Sequence, residues 1–142
     1  MGNTVKAGNF HVEINGKIVA GFTECSALTS KIDVIEYREG GDREARKLPG
    51  KVSYDPIILK RGSSDALDSK ELYEWHKKAV DGKTERKNGS IILLNDDDTE
   101  IKRWNFINAW PSAYAAPILN SDKPNDVAIE SLTLVCERIE IG

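Results

Sequence analysis

Nowhere does this chain contain a run near the ~20 apolar residues that a membrane-spanning helix needs. Its start, Met1 to Ile14, lacks the basic and then apolar regions of a secretory signal. Gly2 is followed by Lys6 where a myristoylation pattern requires Ser or Thr. The expectation is a soluble protein made in the cytosol, with no signal peptide and no membrane insertion of its own. Cysteine is scarce: Cys25 and Cys136 lie far apart in apolar surroundings and read as buried free thiols, since cytosolic chains rarely keep a disulfide. Charge of one sign is missing too. With 20 Lys and Arg against 23 Asp and Glu, the net charge of −3 gives no general attraction for nucleic acid or an acidic membrane. Any polyanion handled here would be tolerated and not gripped. There is no internal repeat and no low-complexity segment. A length of 142 residues suits one domain over 1–142 and is short for two.

Catalytic chemistry is equally sparse. An active site needs a base, a nucleophile and something to orient them. His11 falls on a strand and His76 on a helix beside Trp75, neither with Cys, Asp or Glu at metal-ligand spacing. Asp81-Gly82-Lys83-Thr84 has the ending of a phosphate-binding loop, but its first glycine would fall at Lys77 and Gly82 closes a helix instead of opening one. Asp96-Asp97-Asp98 lacks the alternating carboxylates, central glycine and distal Glu of a calcium loop, and reads as a solvated turn. Asn88-Gly89-Ser90 matches a glycosylation pattern that means nothing without secretion. The expectation is therefore no catalytic, cofactor-binding or metal-binding residue, and a binding or structural module in place of an enzyme.

What the chain does contain is strands. Phe10, Val12 and Ile14 alternate with polar residues, Asn15-Gly16 supplies the positive φ angles of a type I′ turn, and Ile18, Ala20 and Phe22 resume the alternation. A polar connection, Thr23 to Ser30, leads to a strand at Lys31–Tyr37. Pro49-Gly50 reads as a turn, followed by a strand at Val52–Arg61 in which Pro56 marks a bulge or an edge. Asp65 to Asp81 reads as the one helix. Asp68 and Glu71 have capping-box spacing, Leu72, Trp75 and Ala79 share a face, Gly82 is the stop, and Lys77, Lys78 and Lys83 sit near the negative end. Being apolar on one side only, it lies outside a β-sheet. Strands follow at Asn88–Leu94, Thr99–Trp110 (ended by Pro111), Ala113–Ile118 and Val127–Ile141. The last shifts its alternation and so predicts a bulge. About seven strands and one helix give a mainly β fold: a small antiparallel β-barrel or sandwich with one external α-helix.

The stretch that organises the chain runs from Lys31 to Arg61. The two strands, half-buried by their pattern, flank a connection far longer than the ~2–5 residues a hairpin takes. It carries Arg38, Glu39, Asp42, Arg43, Glu44, Arg46 and Lys47 around Gly40-Gly41, and its signs nearly balance. A nucleic-acid arm would be one-sidedly basic. Two readings fit: a mobile solvated loop, or a contact with a charged protein surface, including another copy of this chain. Exposed strand edges also invite pairing with sister copies, and a closed symmetric circle of them leaves no free lateral edge.

The run GDREARKLPGKVSYDPIILKRG with the helix ending LYEWHKKAVDG resembles the inner tube proteins of contractile tails, both T4-like phage tail tubes and extracellular contractile injection systems. Trp104-Asn105-Phe106-Ile107-Asn108-Ala109-Trp110-Pro111, then Asn125-Asp126-Val127-Ala128-Ile129-Glu130-Ser131-Leu132 and Glu137, is similar to that family's closing strands. The resemblance covers essentially the whole chain. It implies hexameric rings, stacked into a hollow tube inside a contractile sheath and released with the particle by lysis. The implied partners are the chain itself, the sheath protein, baseplate and tube-initiator or terminator proteins, and a lumen cargo of DNA or effector protein. The long loop over Arg38–Gly50 would then reach a neighbouring subunit or ring. Two other classes compete with it: a monomeric ligand-binding β-barrel with an apolar cavity, and a small β-rich hydrolase, disfavoured because no nucleophile and base can be paired.

Overall fold

The computed structural model describes residues 8–62, 70–125 and 127–142. The strands in chain order are β1 (Phe10–Ile14), β2 (Lys17–Val19), β3 (Phe22–Cys25), β4 (Ser30–Tyr37), β5 (Arg46–Tyr54), β6 (Ile57–Arg61), β7 (Lys87–Leu94), β8 (Glu100–Ala115), β9 (Glu130–Val135) and β10 (Arg138–Ile141), with helix α1 (Glu71–Val80) between β6 and β7. Eight of these strands form one sheet in the order β2-β1-β7-β8-β9-β6-β3, with β10 also on β8, and every pairing is antiparallel. β2 and β3, the two ends of that order, are joined through Ala20 and Gly21, whose φ of 91° makes the corner. The layers therefore fold over one another around a shared core, as the barrel-or-sandwich reading expects.

The turn chemistry works as read. Asn15 (φ 51°) and Gly16 (φ 79°) close the β1–β2 hairpin. Gly82 (φ 77°) ends α1: its N–H donates to Ala79 and that of Lys83 to Lys78, which satisfies the last carbonyls of the helix. The helix buries Leu72 and Trp75, and Trp75 Nε1 donates to the Glu85 carbonyl at 2.7 Å. The expected start of the helix and its Asp68 cap lie outside the described residues. The helix begins at Glu71 after Lys70, with no side-chain cap bond.

Five expectations are corrected. Pro111 does not end its strand: β8 runs on to Ala115 with a bulge between Pro111 and Ala113. The reason is geometric. β7 has stopped opposite Ala109, and the Pro111 carbonyl accepts a bond from His76 Nδ1 of α1 at 3.0 Å. N–H and C=O of one strand residue point the same way, so the missing N–H faces the helix and no ladder bond is lost. Ala113–Ala115 thus belong to β8, and Ile118 lies beyond any strand. Pro49-Gly50 is no turn either: both sit inside β5, at a bulge opposite Ile32 and Val34. Gly50 eases the bulge, since a Cβ would stand 3.1 Å from the Asp33 carbonyl and the Ile35 side chain. The strand expected over Val52–Arg61 breaks at Asp55-Pro56, where the chain passes from one sheet to another. The last strand starts at Glu130, and its break at Cys136-Glu137 leaves the register on β8 unchanged. The irregularity expected in that strand lies in β8 instead.

The core is continuous. Val12, Ile57, Leu59, Phe106, Leu132 and Leu134 are buried, with Leu72 and Trp75 of α1 closing one side. Gly89 allows the tightest approach, because a Cβ there would lie 2.3 Å from both the Glu13 carbonyl and the Phe106 ring. Behind it, Arg61 Nε donates to Glu130 across the β6–β9 pair, and the Tyr114 hydroxyl donates to the other Glu130 oxygen.

Candidate functional site

The β4–β5 hairpin stands apart from this core. Among the described residues its two strands pair only with each other, as a separate two-stranded sheet. Its root is held by the Lys31–Asp55 ion pair at 3.1 Å and by the Asp55 N–H donating to the Thr29 carbonyl. All eight residues of β4 are exposed, which corrects the half-buried reading of this strand. Opposed residues share a face. One face thus carries Ile32, Val34 and Val52, and the other carries Ile35, Leu48 and Tyr37. Val34 is 63 % exposed and Leu48 47 %. A ribbon that needed only one covered face would be polar on the other. This one is apolar on both. An isolated two-stranded hairpin is marginal in water, and contiguous exposed apolar surface marks an interaction site.

The charged residues singled out by the sequence gather at the hairpin tip. Gly41 turns with φ 93°, and the connection proper covers 38–45, shorter than the Arg38–Gly50 expected. Arg46 Nε donates to Asp42 at 3.0 Å, its guanidinium lies 3.6 Å from Glu39, and the Glu39 N–H donates to Asp42 at 3.1 Å. Those three residues are spent on one another. Arg38 Nη1 donates to the Arg43 carbonyl at 3.2 Å. Lys47 opposes Glu36 in the ladder, and Arg43 and Glu44 are exposed without an ion-pair partner among the described residues. The tip is therefore part internal brace and part free charge. Strand alternation located the ribbon but could not show that its cover was missing.

A second feature lies where the hairpin meets the barrel. A groove of about 400 Å³ is lined by Phe10, Cys25, Leu28, Ile91, Leu93 and Trp104, with the outer edge of β3 along its rim. Burial pushes the Cys25 thiol up to about 11. The Lys102 ammonium sits 5.7 Å from the centre of the Trp104 ring. The cluster of buried Arg61 and Glu130 with half-buried Tyr114 was missed by sequence reasoning. Its only trace is an Arg ending one apolar run and a Glu opening another. Burial first, and then the Glu130 carboxylate, push the Tyr114 hydroxyl up to about 12.

The candidates for chemistry stay dispersed. His76 is bound to the Pro111 carbonyl, and among the described residues no three of His, Cys, Asp and Glu gather to hold a metal ion. Asp97 accepts from the Thr99 hydroxyl and N–H, and these bonds hold its carboxyl below the usual range.

Comparison with known proteins agrees with this geometry. None of the curated proteins matches the chain. Among solved structures it is similar to a chain of the PVC extracellular contractile injection system sheath–tube complex in its extended state, with 28 % identity, TM-score 0.86, and coverage of 98 % of this chain and 91 % of that one. It is similar to a chain of the tube-terminating cap of the anti-feeding prophage, with 27 % identity, TM-score 0.85, and coverage of 100 % and 93 %. A chain of the sixfold-symmetrised baseplate of the anti-feeding prophage shares the fold at 22 % identity and TM-score 0.85, with coverage of 100 % and 97 %. The family described as T4-like virus tail tube protein gp19 matches residues 6–140, so nearly the whole chain, arm and barrel together, belongs to the tail tube proteins of that family.

Proposed function

We propose that this chain, acting as one domain over its length, is the structural subunit of the inner tube of a contractile injection particle. Six copies close into a ring by strand pairing, and rings stack into a hollow tube enclosed by a sheath. The baseplate, initiator and terminator bind its ends, and DNA or an effector protein passes through the lumen. The chain performs no catalysis. It assembles in the bacterial cytoplasm and leaves with the particle on lysis. The observation that carries this reading is the arm. A ribbon apolar on both faces is a liability in a monomer and an adhesive in an assembly. Support comes from the relatives, which were solved as a sheath–tube complex, a tube cap and a sixfold baseplate. A monomeric ligand-binding barrel is not favoured, because Phe106, Ile57, Leu59, Leu132 and Leu134 fill the middle of the fold.

At the tip, Glu39, Asp42 and Arg46 hold the shape while Arg38, Arg43, Glu44 and Lys47 meet the neighbouring subunit or ring. Exposed ion pairs contribute under about 1 kcal/mol each, but repetition around a ring multiplies them. Negative-stain microscopy of the purified protein tests the reading: rings or tubes are expected, and a field of single protomers at micromolar concentration refutes it. Arg43→Glu should shorten tubes and leave rings intact; unchanged tube length removes the tip from the contact.

A further inference from the structure

We propose that the ring closes through one layer only, β2-β1-β7-β8-β10, whose β10 edge on one copy meets the β1–β2 edge of the next, and that the bare face of this layer lines the channel. The inference rests on the tube reading and assigns its seam and its lining. β8 is long enough to serve two layers: residues 100–109 pair with β7, residues 104–107 with β10, and residues 110–115 with β9. The second layer, β8-β9-β6-β3, cannot be continued past β8, because α1 stands against that edge with His76 on the Pro111 carbonyl. Among the described residues the first layer ends in two open edges. At β10 the Gly142 N–H donates to the Arg103 carbonyl, so by antiparallel alternation the N–H and C=O of Ile139 and Ile141 point away from β8. At β2 the Ile14–Lys17 pair closes the hairpin, so the Ile18 N–H and C=O point away from β1. Ile18 is 57 % exposed and Ile141 67 %. Such edges invite a strand of another copy, and unlike edges joined around an axis close a ring.

Register decides which face turns to the channel. Opposed residues share a face, and one rung, Ile18, Glu13, Ser90, Asn105 and Glu140, crosses all five strands. The rung beside it runs through Val12 and Ile91 and faces the core. On the first face Arg103 lies 3.5 Å from Glu13 and 2.8 Å from Glu100, Arg138 lies 2.5 Å from Glu140, and the Ser90 hydroxyl donates to Asn105 at 2.6 Å. A face meant for cover by protein is apolar, as the arm is. This one is polar, and its arginines and glutamates answer one another, which is the chemistry of a sheet face that stays wet. The second layer and α1 lie on the other side, since Leu59, Leu132, Leu72 and Trp75 join Val12 and Ile91 in one cluster. When such layers close into a ring, their bulky side fits only at the larger radius, so the bare face turns to the axis. A lining whose charges are already paired grips a passing chain of neither sign.

Two measurements on the full chain decide the matter. Ile141→Pro removes an outward N–H and keeps the bonds to β8, an exchange that an edge strand tolerates, and Ile18→Pro does the same at the other edge. The urea midpoint of the protomer should stay where it is while rings are lost; whichever variant keeps its midpoint decides, and rings in unchanged yield overturn the seam. The lining is read in assembled tubes of a Cys25→Ser/Cys136→Ser background. Glu140→Cys should react there with a small biotin–maleimide, yet streptavidin, too bulky to enter a closed tube, should bind only after the tubes are dissociated. Lys77→Cys on α1 is the outward control and should carry streptavidin along the tube. Streptavidin along the length of Glu140→Cys tubes would put this face outside, and a thiol that never reacts would bury it in a contact; either overturns the lining. If the unaltered protein forms no rings, the tube reading itself fails, whereas tubes with a failed seam or lining overturn this inference alone.

Discussion

Along β9 alternate residues, Glu130, Leu132 and Leu134, are buried, while on β4 all eight residues stand in solvent although both strands are built from the same β-branched and aliphatic side chains. The difference lies in what covers them. β9 runs between β6 and β8 with α1 and the opposite layer above it, so its apolar face is completed within the chain. Among the described residues β4 has one partner strand and no layer on either face. Burial therefore divides the described residues into a part that is covered within the protomer and a part that the tube reading leaves for other protomers to cover. Each variant below attacks one part and spares the other.

The largest effect belongs to the barrel. Phe106 is the largest of the fully buried side chains and packs against the Gly89 backbone. Phe106→Ala should cost about 3–5 kcal/mol, from lost transfer energy plus the cavity left behind. Against a typical stability of about 5–15 kcal/mol, the urea midpoint should fall steeply, and assembly should fail only because the protomer unfolds. A loss under about 1 kcal/mol would mean that the barrel, like the arm, depends on its neighbours.

The arm should behave in the opposite way. Ile35→Ser/Leu48→Ser changes an exposed cross-strand pair, and the protomer should stay within about 0.5 kcal/mol of its original stability. Sedimentation should nonetheless show the loss of rings or tubes. A protomer destabilised by more than about 2 kcal/mol would show that the arm packs on its own barrel and would erase the distinction.

The same division explains what was legible from residues alone. Asn15-Gly16 announced its turn because positive φ is a property of the backbone itself, and Leu72 with Trp75 announced a one-sided helix because that helix finds its cover in its own chain. The resemblance carried the family. Pro111 misled because a missing N–H is harmless on the side where α1 replaces a strand, and no local signal reports which side that is. Pro49-Gly50 misled for a related reason: outside the ladder a Pro-Gly pair makes a turn, and within an unpaired edge it makes a bulge. At the tip, the charges were legible but their partition was not. Which of them bind one another depends on the turn at Gly41, which brings Glu39 and Asp42 against Arg46.

The smallest effect concerns the groove, where the two parts meet. Desolvation raises the Cys25 thiol from 9.0 to about 11 in the fold, so folding favours the protonated form. The sign follows from linkage: below pH 9 both states carry the proton and the contribution is fully present, whereas between 9 and 11 the unfolded chain ionises first and the contribution is lost. Since the thiol is only partly covered, the loss should not exceed about 2 kcal/mol. In a Cys136→Ser background, raising the pH from 8 to 10.5 should lower the urea midpoint more with Cys25 present than with Cys25→Ser. The arm variant should leave that difference unchanged, because the groove floor is made by β1, β3, β7 and β8 and not by the hairpin. Equal pH dependence with and without the thiol would mean that Cys25 already sees water in the folded protomer, so that the groove is wet and the desolvation that raises the thiol is absent.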